Sequence, residues 1–211
     1  MKKLFVCMFV LTLATTLLAA DKPLVAHTDR IIVGHQKAEP DIGVTLCNNL
    51  GPASNEYNVT NGFFVAGPAS ALGTSQFIGA PCTPAATHTL TTVKAGWQWY
   101  GDGANEIQIC LYSDNGSNAP GTQIGKCVTK KNLPTFGTTN TLVTANFTKQ
   151  GLSLTGGTQY WIVALTPSSG TGDDALDVWD GRAGYYGYNV GGGGWGSAEF
   201  DATPAVKVSG Q

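Results

Sequence analysis

An all-β fold, an antiparallel β-sandwich of jelly-roll-like kind in a single domain with two disulfides, is what these 211 residues predict. Three observations carry the prediction. Runs rich in Val, Ile, Thr, Tyr and Trp recur every ten residues or so, and such residues suit a pleated, half-buried surface. Gly, Pro, Asn and Ser break the runs where turns are needed. No window carries a helical repeat of apolar residues.

The first segment stands apart from this pattern. Lys2 and Lys3, an apolar run from Leu4 to Leu18 and small Ala19-Ala20 before Asp21 form the three parts of a secretory signal, residues 1–20, with cleavage expected after Ala20. The apolar run is shorter than the roughly 18 residues that favour a spanning helix, and no second such run follows, so no membrane insertion is expected after cleavage. Residues 21–40 show no clear period and read as an N-terminal arm, with Arg30-Ile31-Ile32-Val33 as a short strand within it. Such an arm is free, or it adds a strand to the sheet edge of another subunit.

From 41 to 211 the β-sandwich domain is expected. Its strands read as Ile42–Cys47, Gly62–Ala66, Ser75–Ile78, Leu90–Trp99, Glu106–Ser113, Gln123–Thr129, Leu142–Asn146, Tyr160–Leu165, Ala175–Trp179, Gly184–Val190 and Ala205–Val208. Strand side chains alternate between faces. Ile107, Ile109 and Leu111 therefore share one face, and Gln108, Cys110 and Tyr112 the other. In the return strand Cys127 falls on the same outer face as Cys110 if the chain turns at Asp114-Asn115-Gly116-Ser117-Asn118-Ala119-Pro120-Gly121. Cys7 leaves with the signal, so four cysteines remain; pairing Cys110 with Cys127 leaves Cys47 with Cys82. A metal site is the weaker reading, because no close Cys-x-x-Cys pair exists. In the strand Tyr160–Leu165, entered through Gly156-Gly157, the residues Trp161, Val163 and Leu165 share what is expected to be the core face.

Charge excludes one class of partner. Loss of Lys2 and Lys3 leaves ten of the 12 basic residues against 14 acidic ones, a formal charge of 10 − 14 = −4. Nucleic acid is disfavoured, since phosphate binding needs a concentrated basic face. With 12% charged and 42% apolar residues the balance is that of a packed domain.

The residues also resemble a known family. Asn49-Leu50-Gly51-Pro52 with Tyr57-Asn58, Leu90-Thr91-Thr92-Val93, the hairpin from Leu111-Tyr112-Ser113-Asp114-Asn115-Gly116 to Pro120-Gly121, Asn132-Leu133-Pro134-Thr135-Phe136-Gly137 and Leu154-Thr155-Gly156-Gly157-Thr158-Gln159-Tyr160-Trp161 resemble the bacterial secreted β-sandwich domains called choice-of-anchor R. The resemblance runs from Val44 to Val208 and implies export. Family members often carry a C-terminal sorting anchor, whereas this chain ends at Val208-Ser209-Gly210-Gln211 without a hydrophobic tail, which favours release or retention through partners. No catalytic set comes with the resemblance.

Candidate chemistry is sparse. Gly-x-Ser-x-Gly, His-Glu-x-x-His and a phosphate-binding glycine loop are all missing. Among imidazoles only His27, His35 and His88 exist, two of them in the arm, so a histidine-based hydrolase is disfavoured. A glycosidase needs two carboxylates, and Glu56, Asp102, Glu106, Asp173, Asp174, Asp177, Asp180, Glu199 and Asp201 are candidates that sequence cannot pair. Asp173, Asp174 and Asp177 form the one acidic run that suits Ca2+, without the ordered spacing of a helix-loop-helix site; no other cofactor is implied. Aromatic rings are the remaining candidates. Val93, Ala95, Trp97 and Trp99 share a face and read as core, while Trp179, Tyr185, Tyr186 and Trp195 lie in a glycine-rich region and read as ligand-facing rings.

The expectation is a secreted protein, extracellular or periplasmic, without catalysis, that binds a glycan or an extracellular protein or serves as an extracellular structural component. The alternatives are a carbohydrate-active hydrolase using two loop carboxylates and a self-assembling subunit that uses its N-terminal arm.

Overall fold

A computed structural model describes residues 23–27, 43–51, 57–138, 141–168, 172 and 176–211. Fourteen strands are seen among them: β1 (Val25–His27), β2 (Val44–Asn48), β3 (Asn58–Ala66), β4 (Gln76–Cys82), β5 (His88–Ala95), β6 (Trp97–Asp102), β7 (Glu106–Asp114), β8 (Pro120–Lys131), β9 (Val143–Asn146), β10 (Ser153–Leu154), β11 (Tyr160–Leu165), β12 (Leu176–Val190), β13 (Gly196–Pro204) and β14 (Val206–Gly210). One tight helical turn, Thr148–Gln150, accompanies them. The all-β antiparallel sandwich read from the sequence is what the chain forms.

The larger sheet runs in the order β1-β3-β12-β4-β11-β7-β8, with β6 and β13 also paired to β12. The smaller sheet runs β10-β5-β14-β2, with β9 on β5. Between them lies one core that includes Phe63, Ile78, Trp97, Ile107, Ile109, Leu111, Ile162 and Trp179 from the larger sheet and Leu46, Leu90, Val93 and Val208 from the smaller. Ile107, Ile109 and Leu111 occupy the inner face that their alternation required.

Two strands turn a corner between the sheets. Leu90–Trp99, expected as one strand, is β5 in the smaller sheet and β6 in the larger, divided at buried Gly96. The second corner is at Ala205, where β13 in the larger sheet becomes β14 in the smaller. Ala95 and Val206 are register partners, so the corners stand side by side. Strands that switch sheets at a bend are the usual way to close the end of a sandwich. Phe63, Trp179 and Trp97 form a cross-strand row beneath them. The Trp97 and Trp179 rings lie 5.4 Å apart, and Trp179 Nε1 donates to the carbonyl oxygen of Ala205 at 3.0 Å.

Other differences from the sequence reading have local causes. The two strands expected at Ala175–Trp179 and Gly184–Val190 fall, from Leu176 on, in the one strand β12, which keeps pairing through register shifts at Asp180/Gly181 and Arg182/Gly184 rather than turning. Gly196–Pro204 was not read as a strand at all; it is the return of β12. In β11 the alternation was right and the face wrong: Tyr160, Ile162 and Ala164 enter the shared core, while Trp161 and Val163 are buried on the opposite side. Within the arm the strand is Val25–His27, which pairs with β3 of its own chain rather than lying free. The strand expected at Arg30–Val33 lies outside the described residues.

Both disulfides join the cysteines expected. Cys47–Cys82 ties β2 in the smaller sheet to β4 in the larger with Cα atoms 5.6 Å apart, and Cys110–Cys127 ties β7 to β8 at 4.3 Å. The first closes a loop across the two layers with a sequence separation of 35. Replacing Cys47 and Cys82 together by Ala is expected to lower the unfolding free energy by about 3–4 kcal/mol, read from urea unfolding. Trp179→Ala, which empties the corner, is expected to cost about 3–5 kcal/mol. In the same experiment Trp179→Phe, which keeps a ring but loses the bond to Ala205, is expected to cost about half of that.

Candidate functional site

The larger sheet has a second packed surface, on its outer face. Two glycines, Gly79 of β4 and Gly187 of β12, are register partners at its centre. Neither has a Cβ to stand off a neighbour, and the space is taken by Pro120 and Trp161. A Cβ on Gly187 would lie 2.6 Å from Pro120 Cδ and 3.1 Å from Trp161 Cζ3, and one on Gly79 would lie 3.2 Å from Pro120 Cγ. Close approach of another residue explains both glycines.

Pro120 is carried there by the tip of the β7–β8 hairpin, and the tip is held by its own polar side chains. Asp114 Oδ2 accepts from the Gly116 amide at 2.7 Å, and Asp114 Oδ1 accepts from Trp161 Nε1 at 2.9 Å and from Gln159 Nε2 at 3.3 Å. Asn115 Oδ1 accepts from the amides of Ser117 and Ala119. Gly116 and Asn118 take left-handed backbone angles, φ 83° and 57°, which Gly and Asn tolerate. One carboxylate therefore caps the turn and fixes the indole against the sheet.

At the rim of this surface two rings meet. Tyr112 of β7 packs edge-on against Trp195, with centroids 5.9 Å apart and an interplanar angle of 65°. Trp195 follows the exposed glycines Gly191–Gly194, and both rings are half-buried. Behind Tyr112, Cys110 carries the disulfide to Cys127, so the strand under the pair is fixed to its neighbour. The result is a small aromatic surface on a rigid base. It can contact a flat apolar ring or an apolar side chain; among the described residues it places no carboxylate pair in position for proton transfer.

The sequence candidates divide sharply. Trp179 is not ligand-facing: it is fully buried and its indole N–H is committed to Ala205. Tyr186 is 2% exposed and packs on Phe63 at 4.7 Å, so it too is core. Tyr185 pairs through its backbone with Glu199, and its side chain lies outside the described residues. Trp195 alone of the four reaches the surface among those described. Tyr112 was missed as a site residue. The signal for it was present, since alternation with Ile109 and Leu111 put it outside and β11 places Trp161 beside it in register.

Of the proposed calcium ligands, Asp173 and Asp174 lie outside the described residues and the Asp177 side chain does also. No group of three His, Cys, Asp or Glu suited to a metal occurs among the residues described. Asp102 accepts from the Ala71 amide, and Glu106 pairs with Lys131 at 2.8 Å. The side chains of the other carboxylates named as glycosidase candidates lie outside what is described. Trp97 is fully buried and half-buried Trp99 packs against the core, as their shared face required.

Nothing matches this chain in comparisons with protein-family models, curated proteins or solved structures. The fold and its cross-links define the class, a two-disulfide antiparallel β-sandwich. Disulfides of this kind belong to chains that fold in oxidising, non-cytoplasmic compartments. No helix among the described residues is long and apolar enough to cross a membrane.

Burial raises the pKa of Tyr112 above the ordinary tyrosine value, and burial followed by the neighbouring Tyr188 raises that of Tyr186. A raised folded pKa favours the protonated, folded form. The contribution is therefore complete below the unfolded tyrosine pKa of about 10 and is lost as pH climbs through the folded values. Urea unfolding over a pH series above 10 is expected to show falling stability, with a shallower fall in Tyr112→Phe and in Tyr186→Phe. Identical slopes in all three proteins would contradict the burial of these phenols.

Proposed function

We propose that this chain is an exported, non-catalytic binding protein that holds its partner through the Tyr112–Trp195 surface. The observation that carries the reading is a pair of half-buried rings on the outer face of a sheet that two disulfides and a locked hairpin keep rigid. A ring already held in place loses little entropy when a ligand stacks on it. The partner class that fits best is a carbohydrate, whose C–H faces stack on indole and phenol rings while its hydroxyls reach main-chain groups. The exposed glycines Gly191–Gly194 bring main chain close to Trp195, with the Gly191 and Gly193 amides and the Gly193 carbonyl bonded to Ser75, Val190 and Asn189.

Export is supported by the signal-like residues 1–20 together with the disulfides, and the likeness to choice-of-anchor R domains points the same way. Secretion to the extracellular space or periplasm is therefore part of the proposal. So is the alternative partner of the same site, an apolar side chain on an extracellular protein.

A glycan array probed with the exported chain tests the carbohydrate version. Binding is expected, and Trp195→Ala and Tyr112→Ala are each expected to weaken it about tenfold while leaving the fold intact by circular dichroism. A blank array for the unsubstituted chain removes carbohydrate as the partner. Binding that both substitutions leave unchanged removes the site.

A further inference from the structure

The main path of the larger sheet runs between two unlike end strands. β8 carries Lys126, Lys130 and Lys131 along one edge, and lysines on an edge oppose pairing with a further strand. β1 closes the opposite edge with Val25-Ala26-His27 and has no lysine. Among the described residues no strand pairs with its outer side, and Leu24 and Val25 stand 49% and 56% exposed.

The contact that holds this segment is of a distinct kind. Gln76 at the start of β4 is wholly buried, and its side-chain amide reaches the N-terminal segment past β3. Gln76 Oε1 accepts from the Leu24 amide at 2.8 Å; Gln76 Nε2 donates to the Leu24 carbonyl at 2.7 Å and to the Phe64 carbonyl at 3.0 Å. The Phe64 amide donates to the same Leu24 carbonyl at 3.2 Å. A primary amide offers the same donor and acceptor as a peptide unit, so Gln76 recognises main chain. Ala26 adds a side-chain requirement: it is 1% exposed and clusters with Phe136 and Phe64, where a small residue fits.

Departure of the segment would strip a buried amide of both its bonds to Leu24 and uncover Phe64 and Phe136, so an empty edge favours refilling. No disulfide holds the segment to its own domain, because all four bridged cysteines follow Gly43. Residues 28–42 connect it to β2, enough chain to reach about 50 Å when extended. A second copy brings the identical segment, including the small residue at position 26. We propose that the β3 edge with Gln76 is a strand-acceptor site, and that copies of this chain associate by exchanging the segment Leu24–His27. The contacts are the same within one copy or between two, so concentration decides between them. The site is independent of the Tyr112–Trp195 surface.

Two substitutions in the full exported chain separate donor from acceptor. Ala26→Glu disables the segment and leaves the acceptor open, whereas Gln76→Leu disables the acceptor and leaves the segment free. In sedimentation and native mass spectrometry each variant alone is expected to be monomeric, and their mixture is expected to form a one-to-one complex. A labelled peptide of the sequence Asp21–Thr28 is expected to bind the Ala26→Glu chain about tenfold more tightly than the unsubstituted chain, whose own segment competes for the site. Where Gln76→Leu fails to fold, the complex is sought instead between the Ala26→Glu chain and the unsubstituted chain as donor. Absence of peptide binding to the Ala26→Glu chain overturns the proposal, and so does a mixture in which no complex forms.

Discussion

The two bends at which one strand runs directly into a strand of the other sheet, Gly96 and Ala205, constrain the rest of the domain. Because Ala95 pairs with Val206, the bends cannot move apart, and each sheet inherits its position from the other. Trp97 and Trp179 occupy the space under the bends. The indole N–H of Trp179 meets the carbonyl of Ala205 at the point where regular pairing lapses. A bend of this sort would otherwise leave a buried carbonyl unpaired, at a cost comparable to the bond itself. The disulfide Cys47–Cys82 then fixes the two layers at a further point, through β2 and β4, so the layers are tied by both packing and covalent linkage.

With the inner face settled by that corner, the outer face of the larger sheet is left to carry something else. Its centre is built around absent side chains. Gly187 admits Pro120 to a distance that a Cβ would forbid, and Gly79 beside it lets Pro120 in where a Cβ would crowd it. Asp114 couples this packing to the hairpin turn, since one carboxylate serves the Gly116 amide and the Trp161 indole. The chain thereby places Tyr112 and Trp195 on a surface whose shape is set before any partner arrives.

Much of this was legible in the sequence, and the failures share a cause. Alternation and turn chemistry located β7, β8 and their disulfide, because both signals are local. They could not tell which of two buried faces was the shared core, so Trp161 and Val163 were assigned to the wrong side. Burial on both faces erases the polar alternation that distinguishes inside from outside. The glycine-aromatic region misled for a related reason: residues 180–183 read as a break between two strands, yet β12 runs through them with register shifts. Trp179 and Tyr186 then fall on the inner face. Trp195 kept its surface position because it follows exposed glycines in the turn between strands. Gln76 gave no sequence signal, since a lone glutamine at a strand end is ordinary until the chain 52 residues before it arrives in space.

The strand order also bears on how the two surfaces combine. β1 and β7 do not pair in the larger sheet, where β3, β4 and β11 lie between them. Association through β1 therefore leaves the Tyr112–Trp195 surface of each copy uncovered. A pair of stacked rings alone gives modest affinity, because aromatic contacts contribute about 0.5–1.5 kcal/mol beyond the area they bury. Two such surfaces in one assembly meet a polymer with repeated units at a high effective concentration, and avidity then rises without any new contact. A small, rigid, weakly binding surface and an edge that accepts a second copy are thus physically complementary: the first sets which chemistry is recognised, and the second sets how strongly a repetitive partner is held.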